Sequence, residues 1–481
     1  MIMNYGGDRD HNTICAVSTP AGYGGVAIIR VSGPQSLNIV SKLASFLPEH
    51  PESHKIYFGT LTSVLGEMID EVLILFFQQG KSYTSEQTVE ISCHGSPAVS
   101  QWILQELISC GARIADRGEF SYRAFINGNI DLVQAEGVLE LIESQSRRSA
   151  QQGLRQLKGG LSKELRTIEN NLLYVLANIE AAIDFSTEDI DVINKEELQK
   201  RTSATEASLS KLINSYQSGR VISEGLHVAL LGEPNIGKSS LFNLLLGEER
   251  SIVTEVAGTT RDVVESSLMV SGVRVVFMDT AGIRKSTDVV EKIGIQRSLE
   301  SQTSADLVFF LFDGNKGLSD GDLQILKDVD LTKLVLIGNK TDLVNIPEVE
   351  RRTRVQHQLV AGKFFKNPEL VGEFLKTRVF FGSTLEHTFR SLIFGCLEQQ
   401  VSKDSFEDEA VVSQARHFDN LSKALELTKA ASKAFSKDFS ADVEFVALDL
   451  KSALICIQET LGERFDDQIM DFVFKQFCIG K

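Results

Sequence analysis

Gly232-Glu-Pro-Asn-Ile-Gly237-Lys238-Ser239 is the stretch on which the fold is read, because it fits GxxxxGK[ST] and stands between two recognisable elements. The apolar run 228–231 before it reads as a strand buried on both faces, and the run 240–246 after it reads as a helix. Glycines at both ends let the backbone turn its N–H groups inward on an anion, and the N-terminus of the following helix favours negative charge. In such a loop Lys238 offsets charge on β- and γ-phosphates, and the Ser239 hydroxyl ligates magnesium. Asn235, Ile236, Gly237 and Ser240 complete the phosphate-binding turn. A chance glycine-rich turn would lack the flanking strand and helix.

Two further motifs follow in the order a guanine-nucleotide site needs. Asp279-Thr280-Ala281-Gly282 ends the apolar run 273–278, bringing a carboxylate to the metal shell and the Gly282 N–H to the γ-phosphate. Asn339-Lys340-Thr-Asp342 ends the run 334–337, and Asp342 can accept two hydrogen bonds from the guanine edge. Adenine cannot supply both, and a buried acceptor left unpaired costs on the order of 1–3 kcal/mol. Between the first two motifs, Gly258-Thr259-Thr260-Arg261-Asp262 lies where a switch loop belongs, with Thr260 as a second hydroxyl for magnesium. Ile283 follows Gly282, and an aliphatic side chain cannot orient the attacking water as the glutamine of other GTPases does. Hydrolysis therefore needs another group, and Arg284 reads equally well as a helper or as a structural arginine.

Around this core the chain has 481 residues, 42% hydrophobic and 24% charged, which suits about three folded domains. A formal net charge of −16 weighs against general polyanion binding but leaves room for a local basic patch. Six scattered cysteines without a CxxC pair read as reduced thiols, the N-terminus is polar, and no run approaches the roughly 18–20 apolar residues of a membrane span. The expected location is cytoplasmic, with no membrane contact.

The fold class expected is a multidomain α/β protein. Residues 1–125 read as an α+β domain with strands at 26–31, 72–77 and 89–92 and helices at 34–46 and 97–110. Helical spacing runs from Leu154 through Leu157, Leu161, Leu165, Ile168, Leu172, Val175 and Ile179 to Ile183, and returns from Leu421 to Leu461. A helical domain split into 126–221 and 396–481 would thus carry an inserted α/β domain at 222–395 with a mostly parallel sheet.

Blocks outside the nucleotide motifs include TPAGYGGVAIIRVSG, GEFSYRAFINGNIDLVQAE, VEKIGIQRS and the terminal Phe477-Cys478-Ile479-Gly480-Lys481, of which the GEF-x-x-RAF-x-N block and the CIGK end are far more specific than any P-loop. With these the chain closely resembles the MnmE (TrmE) family of tRNA-modification GTPases over nearly its whole length. The resemblance implies a folate-binding, dimerising N-terminal domain, a split helical domain and an inserted Ras-like G domain. It also implies a homodimer that works with the flavoprotein MnmG on tRNA, placing aminomethyl or carboxymethylaminomethyl groups on carbon five of the wobble uridine. A formyl or methylene tetrahydrofolate would supply the carbon, and G domains would meet across potassium.

Carried onto this sequence, the resemblance makes Asn235, Thr254, Val256 and Thr259 potassium ligands, within a nucleotide-contacting stretch that includes Glu255, Ala257 and Gly258. A cation there would offset charge developing between β- and γ-phosphates. Glu291 becomes the carboxylate that orients the water, which composition alone would leave as a surface glutamate. Arg30, Glu90 and Lys481 become folate contacts, and Cys478 sits beside them. Read without the family, Arg30 is a strand arginine in a salt bridge and Cys478 an apolar thiol. Asn129 stands where relatives commonly carry a lysine, removing one cation that would face the folate carboxylates. Ser383 matches the base-supporting loop, after a basic stretch from Arg351-Arg352-Thr-Arg354 to Lys366 that reads by default as a solvated face, with a loop or a partner contact as the alternatives. The competing reading is a regulatory GTPase of the Era or Der type, though the chain has one P-loop and no GXXG in a KH-like context.

Overall fold

A computed structural model describes residues 12–184, 195–247, 266–278, 305–365, 368–402, 410–435, 443–464, 470 and 473–481. It divides into two compact units: Met1–Glu143, Gly153–Ile213 and Ala415–Lys481 form one, and Ser144–Gln152 with Asn214–Gln414 form the other. Among the described residues no helix is long and apolar enough to cross a membrane.

The first unit opens with a six-stranded sheet of β1 (Ile14–Val17), β2 (Gly24–Ser32), β3 (Ile56–Thr62), β4 (Met68–Phe77), β5 (Thr88–Gly95) and β6 (Arg113–Ile114), ordered β3-β4-β5-β2-β1-β6. All neighbours are antiparallel except β1 and β6. Alternate residues of the strands, among them Ile29, Val31, Ile74, Val89 and Ile91, meet Ile103 and Leu107 of the helix Pro97–Ser109, whose proline sits in its first turn. The helix expected at 34–46 is shorter, Ser36–Ser41. Its continuation is cut because the Leu43 carbonyl accepts from the Thr62 backbone N–H at 2.9 Å and the Thr62 hydroxyl at 3.3 Å, a partner on β3 replacing a helical one.

The helical part of this unit contains Gly160–Asp184, Lys195–Asn214, Ala415–Phe435 and Val443–Leu461. The apolar stripe behaves as its spacing predicts from Leu161 to Ile179, and Leu421, Thr428, Ala431, Leu450 and Ile457 are buried in the returning piece. Leu154 departs from it: that residue is exposed on a separate helix, Arg147–Leu157, which ends before Gly159 at φ +80°. One continuous helix cannot pass through that left-handed position.

A buried ion cluster ties the two sequence-distant helical pieces together. Arg416 reaches Glu136 through Nη2 at 3.0 and 3.1 Å and through Nε at 3.2 Å, while His417 Nε2 stands 2.6 Å from the same carboxylate. Burial alone would push the Glu136 carboxyl up, but His417 and Arg416 outweigh it and hold the carboxyl below the usual glutamate range.

The second unit carries β7 (Leu226–Gly232), β8 (Ser266–Val270), β9 (Val273–Met278), β10 (Leu307–Asp313), β11 (Leu334–Asn339) and β12 (Val379–Phe381), ordered β12-β11-β10-β7-β9-β8. Every pair is parallel except β8 with β9. Leu230, Phe309 and Ile337 face Leu241 and Leu245 of the helix Lys238–Leu246 on one side. Leu231, Phe310 and Leu336 face Leu359 and Phe374 on the other. Helices cover both faces, which is why these strands read as unbroken apolar runs. The expected α/β architecture with a mostly parallel sheet is the one observed.

Glu136→Gln keeps the shape but leaves the Arg416 charge buried without its counterion, a loss on the order of 3–5 kcal/mol. Because the folded carboxyl ionises below its unfolded value, its contribution is complete above about pH 4.3 and lost as pH falls through the depressed value. Thermal melting of wild type and variant should therefore differ by several degrees at pH 7 and converge in acid; equal midpoints at pH 7 would contradict the assignment.

Candidate functional site

The P-loop folds because two of its glycines occupy places no side chain can. Gly232 ends β7 at φ +133°, where a Cβ would run into the Leu311 carbonyl of β10. Gly237 caps the helix Lys238–Leu246 at φ +106°, where a Cβ would run into the Asn339 side-chain amide. Asn235, between them, is itself left-handed at φ +59°. The positive end of the helix dipole faces the loop, and Ser239 and Ser240 are exposed at its first turn. The Lys238 ammonium curls over the loop and donates to the carbonyls of Gly232 at 2.8 Å and Glu233 at 2.9 Å. Its charge is thereby held above the turn that would take the phosphates. The Glu233 carboxylate accepts from the Ser319 hydroxyl at 2.6 Å.

Asn339, at the end of β11, is 1% exposed and joins three segments. Its Nδ2 donates to the Ile236 carbonyl of the P-loop at 2.9 Å, and its Oδ1 accepts from the Thr384 N–H at 3.0 Å. Its own carbonyl accepts from Gly314 at 2.8 Å. Beyond it Lys340 is left-handed at φ +65°, and a 3₁₀ turn, Thr341–Leu343, presents Asp342 to solvent. Ser383 lies beside this turn but is buried, its Oγ accepting from the Leu385 N–H at 3.2 Å. Phosphate loop and base loop thus share one buried amide. Residues 254–260, 279–282 and Glu291 lie outside the described residues, so the second magnesium hydroxyl, the potassium loop and the water-orienting carboxylate are not among those placed.

The basic stretch after the base loop corrects an expectation. It is largely a helix, Glu348–Ala361, and its arginines are engaged with protein, Arg351 buried and Arg352 and Arg354 half-buried. Arg351 is 8% exposed, Arg352 reaches Glu348 at 2.8 Å and the Leu375 carbonyl, and Arg354 reaches the Asn315 carbonyl.

In the first unit a second cluster forms around Arg30 and Glu90, which stand directly opposite each other on β2 and β5. Arg30 reaches Glu90 Oε1 through Nε at 2.9 Å and Nη2 at 2.8 Å, and both side chains are largely buried. The guanidinium lies against the rings of Phe120 at 5.5 Å and Tyr83 at 5.7 Å. Sequence reasoning missed both rings; Phe120 lies within the GEF block, but nothing in the spacing ties it to Arg30. The Tyr83 hydroxyl pairs with Ser121 at 2.8 Å.

The chain terminus returns to this cluster. Ile479 bridges Arg117, and Gly480 at φ +98° packs against the Val17 carbonyl where a Cβ would collide. Burial first, then the Arg30 charge, lowers the Lys481 ammonium from its usual range, with Glu90 opposing, so Lys481 belongs to the same electrostatic group. Cys478 is exposed beside it. Asn129, which brings no cation to this part of the unit, donates through Nδ2 to the Tyr83 carbonyl at 2.8 Å.

A doubly covered parallel sheet, a GxxxxGKS turn and an NKxD turn bound to it by one amide define a P-loop GTPase. The comparisons with known proteins carry this further. The MnmE helical domain model matches residues 132–478, and that of the GTP-binding protein TrmE N-terminus matches residues 13–129. The tRNA modification GTPase MnmE of Bdellovibrio bacteriovorus is 51% identical over 477 residues, 99% of each chain. Its namesakes from Natranaerobius thermophilus and Christiangramia forsetii are 39% identical over 473 residues and 37% over 487, each covering 98% of this chain and 99% of the relative. The chain belongs to the MnmE family of tRNA modification GTPases.

Gly237→Ala tests the shared geometry. The added methyl collides with the Asn339 amide at a φ that favours glycine, so GDP affinity should fall at least tenfold by calorimetry while far-ultraviolet circular dichroism stays unchanged. Wild-type affinity would contradict the described packing.

Proposed function

We propose that the protein hydrolyses GTP to drive one-carbon modification of the tRNA wobble uridine at carbon five, as a homodimer acting with the flavoprotein MnmG. Membership of the family supports the tRNA-modification GTPase activity. The observation that carries the one-carbon half is the Arg30–Glu90 pair packed against the Phe120 and Tyr83 rings, with the terminal segment returning to β1 through Gly480, so that the Lys481 charge is felt there too. A carboxylate can accept from the amino and ring N–H groups of a pterin in the two-point manner used for guanine, and the cations suit the acidic tail of a folate. Asn129 acts there through Tyr83. A tetrahydrofolate held there would supply the carbon; Cys478, exposed in the same terminal segment as Lys481, is available for chemistry on it.

In the nucleotide site Lys238 neutralises phosphate charge, Ser239 with Thr260 holds magnesium, and Asp342 reads guanine with Ser383 and Lys340 shaping the base loop. Asn235 with Thr254, Val256 and Thr259 would hold potassium, which supplies the positive charge that an arginine finger supplies elsewhere. Glu291 orients the water in place of Ile283. Dimerisation is supported by the outward face of the N-terminal sheet: Ile56, Phe58 and Leu73 are exposed, Phe58 by 67%, and Phe58 and Leu73 stand opposite each other on edge strand β3 and on β4. Such an apolar patch suits a second copy of the chain.

Mass spectrometry of nucleosides from total tRNA tests the reading in a strain lacking the gene. Carbon-five-modified wobble uridines should vanish, return with the wild-type gene, and stay absent with Lys238→Ala or Arg30→Ala; an unchanged profile would sink the proposal. Hydrolysis should also run faster in potassium than in sodium, and equal rates would remove the cation assigned to Asn235.

A further inference from the structure

Arg351 is buried on the inward face of the helix Glu348–Ala361, in line with Val355 and Leu359 at four-residue steps. Its Nη2 donates to the Val344 carbonyl at 2.7 Å, the Asn315 side-chain oxygen at 2.9 Å and the Thr341 carbonyl at 3.1 Å. Two hydrogens serve three acceptors, so one bond is shared. Asn315 passes the grip on, its Nδ2 donating to the Lys340 carbonyl at 2.6 Å. The carbonyls of residues 340, 341 and 344 are therefore held by one guanidinium and one amide, and Asp342 lies between them.

That grip has a physical purpose. Lys340 holds a left-handed backbone that is costly for a residue with a side chain, and such a turn persists only where its surroundings fix it. Asp342 is exposed, so its neighbours' carbonyls, not packing on its own side chain, determine where its carboxylate points.

We propose that Arg351 is a positioning residue for guanine discrimination: by holding Thr341, Val344 and Asn315 it aims the Asp342 carboxylate at both N–H groups of the guanine edge. The proposal rests on Asp342 reading the base. Calorimetric titration of the full chain with GDP and with inosine diphosphate, which lacks the exocyclic amino group, separates that role from a structural one. Wild type should prefer GDP, and Arg351→Ala should shrink the preference roughly three- to tenfold, the effect of one ordinary hydrogen bond. Arg351→Lys should restore part of it, since an ammonium donates to carbonyls without the planar fork.

Parallel weakening of both nucleotides, or no change in their ratio, would overturn the proposal, even with a lower melting temperature. Should Arg351→Ala fail to fold, Asn315→Ala removes the relay to Lys340 and carries the same comparison, with the same two outcomes. Asp342→Asn separates the underlying reading: if it leaves the GDP preference intact, Asp342 does not read the base; if it abolishes the preference while the Arg351 variants keep it, only the role of Arg351 falls.

Discussion

The nucleotide site depends on a single carboxamide. Asn339 donates to the Ile236 carbonyl and accepts from the Thr384 N–H, both near 3 Å and out of contact with water, so neither bond has a solvent substitute. A phosphate loop and a base loop more than a hundred residues apart in sequence become one rigid object through it. Aspartate in its place would offer no donor to Ile236, and serine would not span the gap. The glycine at 237 follows from the same constraint, because the amide occupies the space a Cβ would need. Arg351 extends this order outward, from the strand end to the turn that exposes Asp342.

The other unit solves a comparable problem with charge. Arg30 and Glu90 are placed by strand register alone, and the terminal segment is brought to them by Gly480, whose left-handed backbone fits under the Val17 carbonyl. The ion cluster of Glu136, Arg416 and His417 lies in the same unit and joins the helix Leu132–Glu143 to the helix Ala415–Phe435, so chain segments on either side of the inserted sheet are locked to each other. A buried ion pair contributes little net stability compared with an apolar pair of the same shape, yet breaking it is costly, which makes it a specifier of pairing.

Much of this was legible before any coordinates. Runs such as Leu307–Asp313 announced strands because both faces are covered, and the P-loop and NKxD turn announced themselves by spacing. Strand β8, Ser266–Val270, and the short β12 escaped, being brief segments at the sheet edges. The arginines after the base loop were misjudged because a charge run is usually solvated, whereas here Val355 and Leu359 set a buried stripe that Arg351 joins at its head. For Asn129 the limit is of another kind: no sequence pattern reveals that its amide is bound to the Tyr83 carbonyl.

Hydrogen exchange at the P-loop amides of Glu233 and residues 235–239, with and without saturating guanosine, tests the central claim that one amide makes the two loops a single site. Guanosine carries no phosphate and touches only the base half. The account predicts slower exchange in the P-loop of the wild-type protein on guanosine binding, and no slowing in Asn339→Ala at equal saturation. P-loop amides that ignore guanosine in the wild type would contradict it.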